Sequence, residues 1–312
     1  MTDPTASPDP AAPAADDAAA GPGTAAGYRS VLRAGLFAGR SVWVTGGGSG
    51  IGRCVAHELA SLGAQVVISG RTQARLDAVA AEIAADGGRC DTQCFDIRDE
   101  EAVKAGVAQV LARHGPVSGL VNNAGGQFPA PLLAISKRGF EAVVANNLTG
   151  GFLMMRELFN QCMQQHGGAI VNMTADFRNG MPGMGHSGAA RAGMSNLTMT
   201  AAFEWAHAGV RVNAVAPGWI ASSGMDTYEG ATKALIPKLK HSVPMRRLGL
   251  EAEVSSAIVW LLSPGAAFVT GVTLQIDGGA SLGSDIFPLG HEARSTAYDG
   301  FHRAVKPKVL GP

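Results

Sequence analysis

An α/β domain built on parallel strands joined by helical crossovers is the fold class this sequence predicts, on three observations. Short apolar runs of strand length, such as Val42-Trp43-Val44 and Gln65-Val66-Val67-Ile68-Ser69, alternate with longer stretches of helical periodicity. That rhythm continues along most of the chain and implies right-handed crossovers. Glycine is abundant, at 42 residues, while only 6% of the chain is aromatic, which suits close helix–sheet packing. Finally, Thr45-Gly46-Gly47-Gly48-Ser49-Gly50-Ile51-Gly52 sets glycines where a strand turns into a helix.

Composition narrows the function classes. With 312 residues, 46% of them hydrophobic, the chain can build one substantial core plus tails. Residues 1–27 are Ala, Pro, Asp, Gly and Thr and are expected to form a disordered leader, because they bury too little surface to offset ordering. Residues 28–283 are expected to be the domain, opening on a packing segment from Tyr28 to Leu36, and residues 284–312 a tail. Lys plus Arg number 25 against 25 Asp plus Glu, so neither nucleic acid nor an anionic membrane is an expected partner. Four cysteines fit no metal pattern and no disulfide framework, which points to reduced thiols in the cytoplasm. No apolar run is long enough to span a bilayer, and neither a secretory signal nor a peroxisomal address is expected.

The elements follow in order. Val42–Val44 is the first strand and Ile51–Ser61 the first helix, with Val55, Leu59 and Leu62 on one face. At such a turn a Cβ would keep phosphate oxygens from the backbone amides, and the helix start offers unpaired N–H groups and a positive dipole end. Gly46, Ser49, Gly50, Ile51 and Gly52 are therefore candidates to hold a pyrophosphate. The second strand, Gln65–Ser69, ends at Gly70-Arg71 and lacks the acid that usually holds a ribose 2′-OH. An arginine there binds a 2′-phosphate instead, so NADP(H) is expected over NAD(H). Arg53 is a second candidate for that role; the plainer reading of Arg71 is a solvated loop charge. Thr72–Ala85 is a helix, and Cys90–Phe95 a strand closing on Asp96-Ile97, where Asp96 either accepts from an adenine amino group or caps the Asp99–His114 helix. Val117–Val121 is the fourth strand and runs into Asn122-Asn123-Ala124-Gly125-Gly126.

With the TGxxxGxG and NNAG turns both present, the chain resembles the short-chain dehydrogenase/reductase superfamily from about residue 40 to 283. The resemblance implies a single doubly wound, Rossmann-like domain with a seven-stranded parallel sheet and helices on both faces. It also implies that Asn123, Ala124 and Gly125 face the cofactor. Phe140–Phe159 is expected as one helix, in which Asn147 matches the family's Asn that bends the helix and holds a water. Ala169–Met173 is the fifth strand.

The family pattern then breaks. Where the family has Ser, Tyr and Lys, alignment places Ala175 (beside Thr174), Ser187 and Arg191, the last two four apart on one helix face. A tyrosine with a pKa near about 10 can be tuned into a base for alcohol oxidation, whereas a serine hydroxyl is far less acidic. Arginine relays no proton but supplies fixed positive charge. This set suits reduction of a C=C bond conjugated to a thioester, where negative charge builds on the thioester oxygen. The stretch His186–Gly193, with Gly125-Gly126-Gln127-Phe128, is similar to the peroxisomal trans-2-enoyl-CoA reductase and 2,4-dienoyl-CoA reductase branch. Where the enoyl reductases carry a proton-donating Tyr, this chain has Ser195.

Other residues compete for the acid–base role. His186 is an acid, a cap or a packing residue. Asp176, at the end of the fifth strand, is an acid–base candidate or a partner for Arg178 or Arg191. Tyr228 lies in a substrate lid expected over Ala221–His241 and can reach in when the lid closes. Lys233, Lys238 and Lys240 there suit CoA phosphates or are a solvated face. Arg211–Gly218 contains the sixth strand, and the resemblance puts Pro217, Gly218 and Ile220 at the nicotinamide carboxamide. Glu251–Leu262 is a helix and Gly271–Asp277 the seventh strand; the tail, with Phe287, Tyr298 and Phe301, covers a neighbouring subunit or the site. The expected function is an NADPH-dependent enoyl- or dienoyl-thioester reductase, as a homodimer or homotetramer acting on an apolar acyl thioester. Two alternatives stand: a dehydrogenase of a branched or terpenoid alcohol with Tyr228 or Asp176 as base, and a catalytically weak nucleotide-binding protein.

Overall fold

The computed structural model describes residues 27–282, 290 and 292–311; the expected leader up to residue 26 and Phe287 lie outside them. Its centre is a seven-stranded sheet, all parallel, in the order β3-β2-β1-β4-β5-β6-β9. The strands are β1 (Ser41–Thr45), β2 (Gln65–Gly70), β3 (Arg89–Cys94), β4 (Val117–Asn122), β5 (Gly168–Met173), β6 (Val210–Pro217) and β9 (Thr273–Ile276). β7 (Ile220–Ala221) and β8 (Gly249–Leu250) form a separate small pair. The five inner strands are largely buried, as parallel sheets require, while the edge strands β3 and β9 are partly exposed. In β1, Val42 and Val44 join a cluster with Val55, Leu59 and Ile258, while Trp43 joins Val107, Leu158 and Ile170 on the other face.

The helices are α1 (Gly50–Ser61), α2 (Gln73–Ala85), α3 (Glu100–His114), α4 (Lys137–Val144), α5 (Gly150–Leu158), α6 (Gln164–His166), α7 (Gly185–Trp205), α8 (Gly230–Leu235) and α9 (Glu251–Leu262). The helix expected over Phe140–Phe159 is α4 to α6, wound continuously through π turns at Ala145–Thr149 and Phe159–Met163. A π turn is an inserted residue, and inserted residues shift side chains off the helical register, here at Asn147. Asp99, not Asp96, caps α3: its carboxylate accepts from the Ala102 N–H at 3.1 Å. The strand order reverses between β1 and β4, which puts the glycine turn after β1 and the Asn-Asn-Ala-Gly turn after β4 side by side at the switch point where such sheets bind ligands. Among the described residues no helix is long and apolar enough to cross a membrane.

Candidate active site

The two turns are clamped to each other. The Thr45 hydroxyl accepts from the N–H groups of Asn123 and Ala124, both at 3.0 Å. The Asn123 amide donates back to the carbonyls of Thr45 (3.0 Å) and Gly46 (3.3 Å). Asn123 thus braces the glycine turn, leaving contact with a ligand to the backbone around it. Gly46 has φ +67°, and a Cβ on it would lie 2.9 Å from the Cα of Ala124. Ser49 sits at the N-cap of α1 without a side-chain cap bond, and no acid occupies the first turn, so the helix start is open to an anion.

Over these turns lies a cleft of about 210 Å³ lined by Gly46, Ser49, Arg71, Arg75, Asp96, Ile97, Ala124 and Gly125. Arg71 and Arg75 are exposed and form no ion pair among the described residues. Arg75 is a residue that sequence reasoning missed: it lies in the first turn of α2, whereas Arg71 precedes the N-cap Thr72, and its Cβ would be 3.2 Å from a Cβ on Gly48. Arg53 does not join them. Its guanidinium pairs with Glu82 at 2.7 Å and donates to the Arg303 carbonyl, because α1 turns that side chain onto α2 and the tail. Asp96 lines the cleft, but Arg98 binds it with bonds of 2.9 and 3.0 Å and holds its carboxyl below the usual range.

The cleft fits a dinucleotide: the glycine turn leads into an uncapped helix start, and Arg71 and Arg75 line the same cleft.

The second half of the site is built from α7 and the π turn. Arg191 is 8% exposed, and burial pushes its pKa down to about 10. One terminal nitrogen donates to the Met173 carbonyl at 2.6 Å; its Nε has no partner among the described residues. A Cβ on Gly125 would lie 2.7 Å from its other terminal nitrogen and 2.9 Å from Asn147 Oδ1, so the Gly125 surface is where Arg191 and Asn147 converge. A desolvated cation without a carboxylate is costly, and it makes a ready partner for a negative oxygen.

Asn147 Oδ1 accepts from the Gly126 N–H at 2.9 Å, which fixes its amide so that Nδ2 faces Ser187 Oγ at 3.5 Å. Ser187 in turn donates to Gln127 Oε1 at 2.6 Å, and Gln127 Nε2 donates to the Tyr228 hydroxyl at 3.3 Å. Gln127 is thus a link between Ser187 and the lid; a loop amide carries no local pattern that announces such a role. The other tyrosines are placed elsewhere: Tyr28 donates to Glu58 and Tyr298 to the Arg29 carbonyl.

Several candidates fall outside this cluster. Thr174 donates to the Val215 carbonyl at 2.8 Å. Ser195 hydrogen-bonds Thr273 at 3.3 Å, on the far part of α7. His186 does not cap α7, whose N-cap is Met184; its buried ring packs edge-on to Phe128 at 4.4 Å, with Nδ1 accepting from the Ser187 N–H. Asp176 meets neither Ser187 nor Arg191: burial, then the charge of nearby Asp277, raises its carboxyl above the usual range, with Arg178 opposing. Its N–H donates to the Pro217 carbonyl at 3.3 Å, and the Gly218 N–H bonds Ile276. Ile220 lines a separate cavity of about 370 Å³ with Trp219, Val243 and Met245, so its side chain is directed away from the cleft.

A family profile described as enoyl-(acyl carrier protein) reductase matches residues 46–281. The peroxisomal 2,4-dienoyl-CoA reductase [(3E)-enoyl-CoA-producing] of Pongo abelii is 36% identical over 258 residues, covering 82% of this chain and 88% of its own. A glucose 1-dehydrogenase of Gluconobacter oxydans is also 36% identical, covering 80% and 94%. The solved structure of a citronellol catabolism dehydrogenase from Pseudomonas aeruginosa PAO1 is 60% identical, covers 82% of this chain and all of its own, and superposes with a TM-score of 0.75.

Proposed function

The chain belongs to the short-chain dehydrogenase/reductase family, an oxidoreductase family that uses a nicotinamide cofactor, and from that premise we propose that it reduces the C=C bond of an enoyl or dienoyl thioester with NADPH. The observation that carries this reading is the buried, carboxylate-free Arg191 beside Ser187, where an alcohol dehydrogenase needs a phenol and a lysine.

The main chain of the glycine turn and α1 start would hold the pyrophosphate, Arg71 and Arg75 the 2′-phosphate, and Ala124, Gly125 and Arg191 the nicotinamide half. A reduced nicotinamide bound there would supply hydride for the β-carbon. Arg191 then stabilises the negative charge that develops on the thioester oxygen, in a dry site where a fixed cation acts strongly. Asn147, Ser187 and Gln127 form a directed chain of donors, each accepting from the one before. Tyr228 accepts at its end, which leaves the phenolic proton free for the substrate carbon or a water beside it. Tyr228, delivered by the lid, is the proton donor in this reading.

A second reading, oxidation of a branched alcohol with Tyr228 or Asp176 as base, is favoured by the name of the 60% identical structure. The two separate in one assay. NADPH consumption with crotonyl-CoA or decenoyl-CoA, and none of NADP⁺ with citronellol, supports the reductase; the reverse pattern overturns it.

A further inference from the structure

We infer that the carboxyl-terminal segment is a strap that holds the lid over the site, with Asp226 as the positioning residue that fastens it. The two ends of the strap are fastened to different parts of the molecule. At one end Phe301 is buried, with its ring 5.7 Å from Tyr28, 5.1 Å from His57 and 5.0 Å from the Arg53 guanidinium. Arg303 and His302 both bind Asp86 on the end of α2, and Arg53, the residue after Gly52, donates to the Arg303 carbonyl at 3.1 Å. This end is therefore riveted to the helix that begins at the glycine turn.

At the other end Asp226 accepts from the N–H groups of Lys308 (3.1 Å) and Val309 (2.9 Å), one to each carboxylate oxygen. The turn Lys308–Leu310 packs against both halves of the lid, Ser223–Thr227 and Ile236–Ser242. From Arg303 to Lys308 the chain has only five steps, at most about 18 Å of reach. A tether that short lets the lid move little while both ends are attached.

Asp226 lies in the same turn that presents Tyr228, whose N–H bonds back to Met225 at 3.4 Å. Unfastening Asp226 therefore frees the segment that brings the phenol to Gln127. The catalytic part of this inference rests on the reductase reading; the strap itself rests on geometry alone.

Hydrogen–deuterium exchange separates the two. In Asp226→Ala, and in a chain ending at Ala304 that keeps the Phe301 and Arg303 anchors, amides of residues 221–242 are expected to exchange about tenfold faster, while β1, α1 and NADPH affinity keep wild-type values. Equal lid exchange in all three proteins overturns the strap. In steady-state turnover of decenoyl-CoA, Asp226→Ala is expected to lower kcat/KM, Asp226→Asn, with one acceptor left, less so, and Asp226→Ala/Tyr228→Phe no further than Tyr228→Phe. Independent, multiplying losses overturn the positioning role of Asp226. Wild-type protein that turns over no enoyl thioester overturns the reductase reading, and the exchange data still decide the strap.

Discussion

Replacing Arg191 by methionine separates catalysis from stability. Burial lowers the guanidinium pKa from 12.5 to about 10. At 1.36 kcal/mol per unit, holding the cation there costs the fold about 3 kcal/mol. Against that stands the charge-assisted bond to the Met173 carbonyl, worth about 1.5–3 kcal/mol. Methionine has a similar length and no charge, so removing both contributions leaves stability within about 1.5 kcal/mol of wild type, or a few degrees of Tm. The rate behaves differently, because the charge acts where the thioester oxygen becomes negative, and losing such a donor costs about 10²–10³ in kcat. Thermal unfolding and NADPH oxidation with decenoyl-CoA check the two halves. An undiminished rate would sink the oxyanion role, and a Tm loss above about 10 °C would make Arg191 a structural cation.

Arg71→Ala combined with Arg75→Ala should weaken NADPH binding by about 100-fold, roughly tenfold for each lost phosphate contact, and leave NADH binding unchanged in titrations of protein fluorescence. Gly125→Ala should abolish turnover while the protein stays folded by circular dichroism, since the added methyl enters the space between Arg191 and Asn147. Glu251→Gln tests a buried carboxyl whose pKa burial pushes up to about 7, with Arg53 opposing. Because the folded value is raised, the unfolded chain ionises first, and wild-type stability falls as pH rises from about 4.5 to about 7. The variant lacks that loss, so urea unfolding should find it more stable than wild type at pH 8, by up to about 3 kcal/mol, and equal near pH 4.5.

What the sequence reveals of this protein follows the range of the interactions. The glycine turn and the Asn-Asn-Ala-Gly turn were legible because a backbone that must approach another atom closely excludes a Cβ, and that exclusion is written as glycine at fixed spacing. Arg71 was singled out by the absent acid at the end of β2, and the fold places it on the wall of the cleft. Arg53 was misplaced because adjacency to Gly52 says nothing about helix rotation: at 100° per residue it faces Glu82 and the tail. Asp96 looked free, yet Arg98, two residues on, occupies it. Asp226 had no signal, and Gln127 entered only as part of a four-residue resemblance, with no role attached. Their partners lie 101 residues away at Tyr228 and 83 away at Val309, and such pairings exist only once the chain has folded.

The direction of the chemistry can be argued from where protons can sit. Oxidation of an alcohol needs a group that takes a proton at neutral pH next to the carbinol oxygen. Arg191 takes none, and the Ser187 hydroxyl already donates to Gln127. Asp176, whose carboxyl burial and then Asp277 push above the usual range, touches neither of them. Tyr228 accepts from Gln127, a contact that leaves its own proton pointing outward. In the proposed reading Arg191 holds negative charge and Tyr228 gives a proton, and neither Arg191 nor Ser187 is placed to remove one. An apparatus of that kind works on a reaction that creates an anion on the substrate and then protonates carbon, which is the order of events when hydride adds to a conjugated thioester.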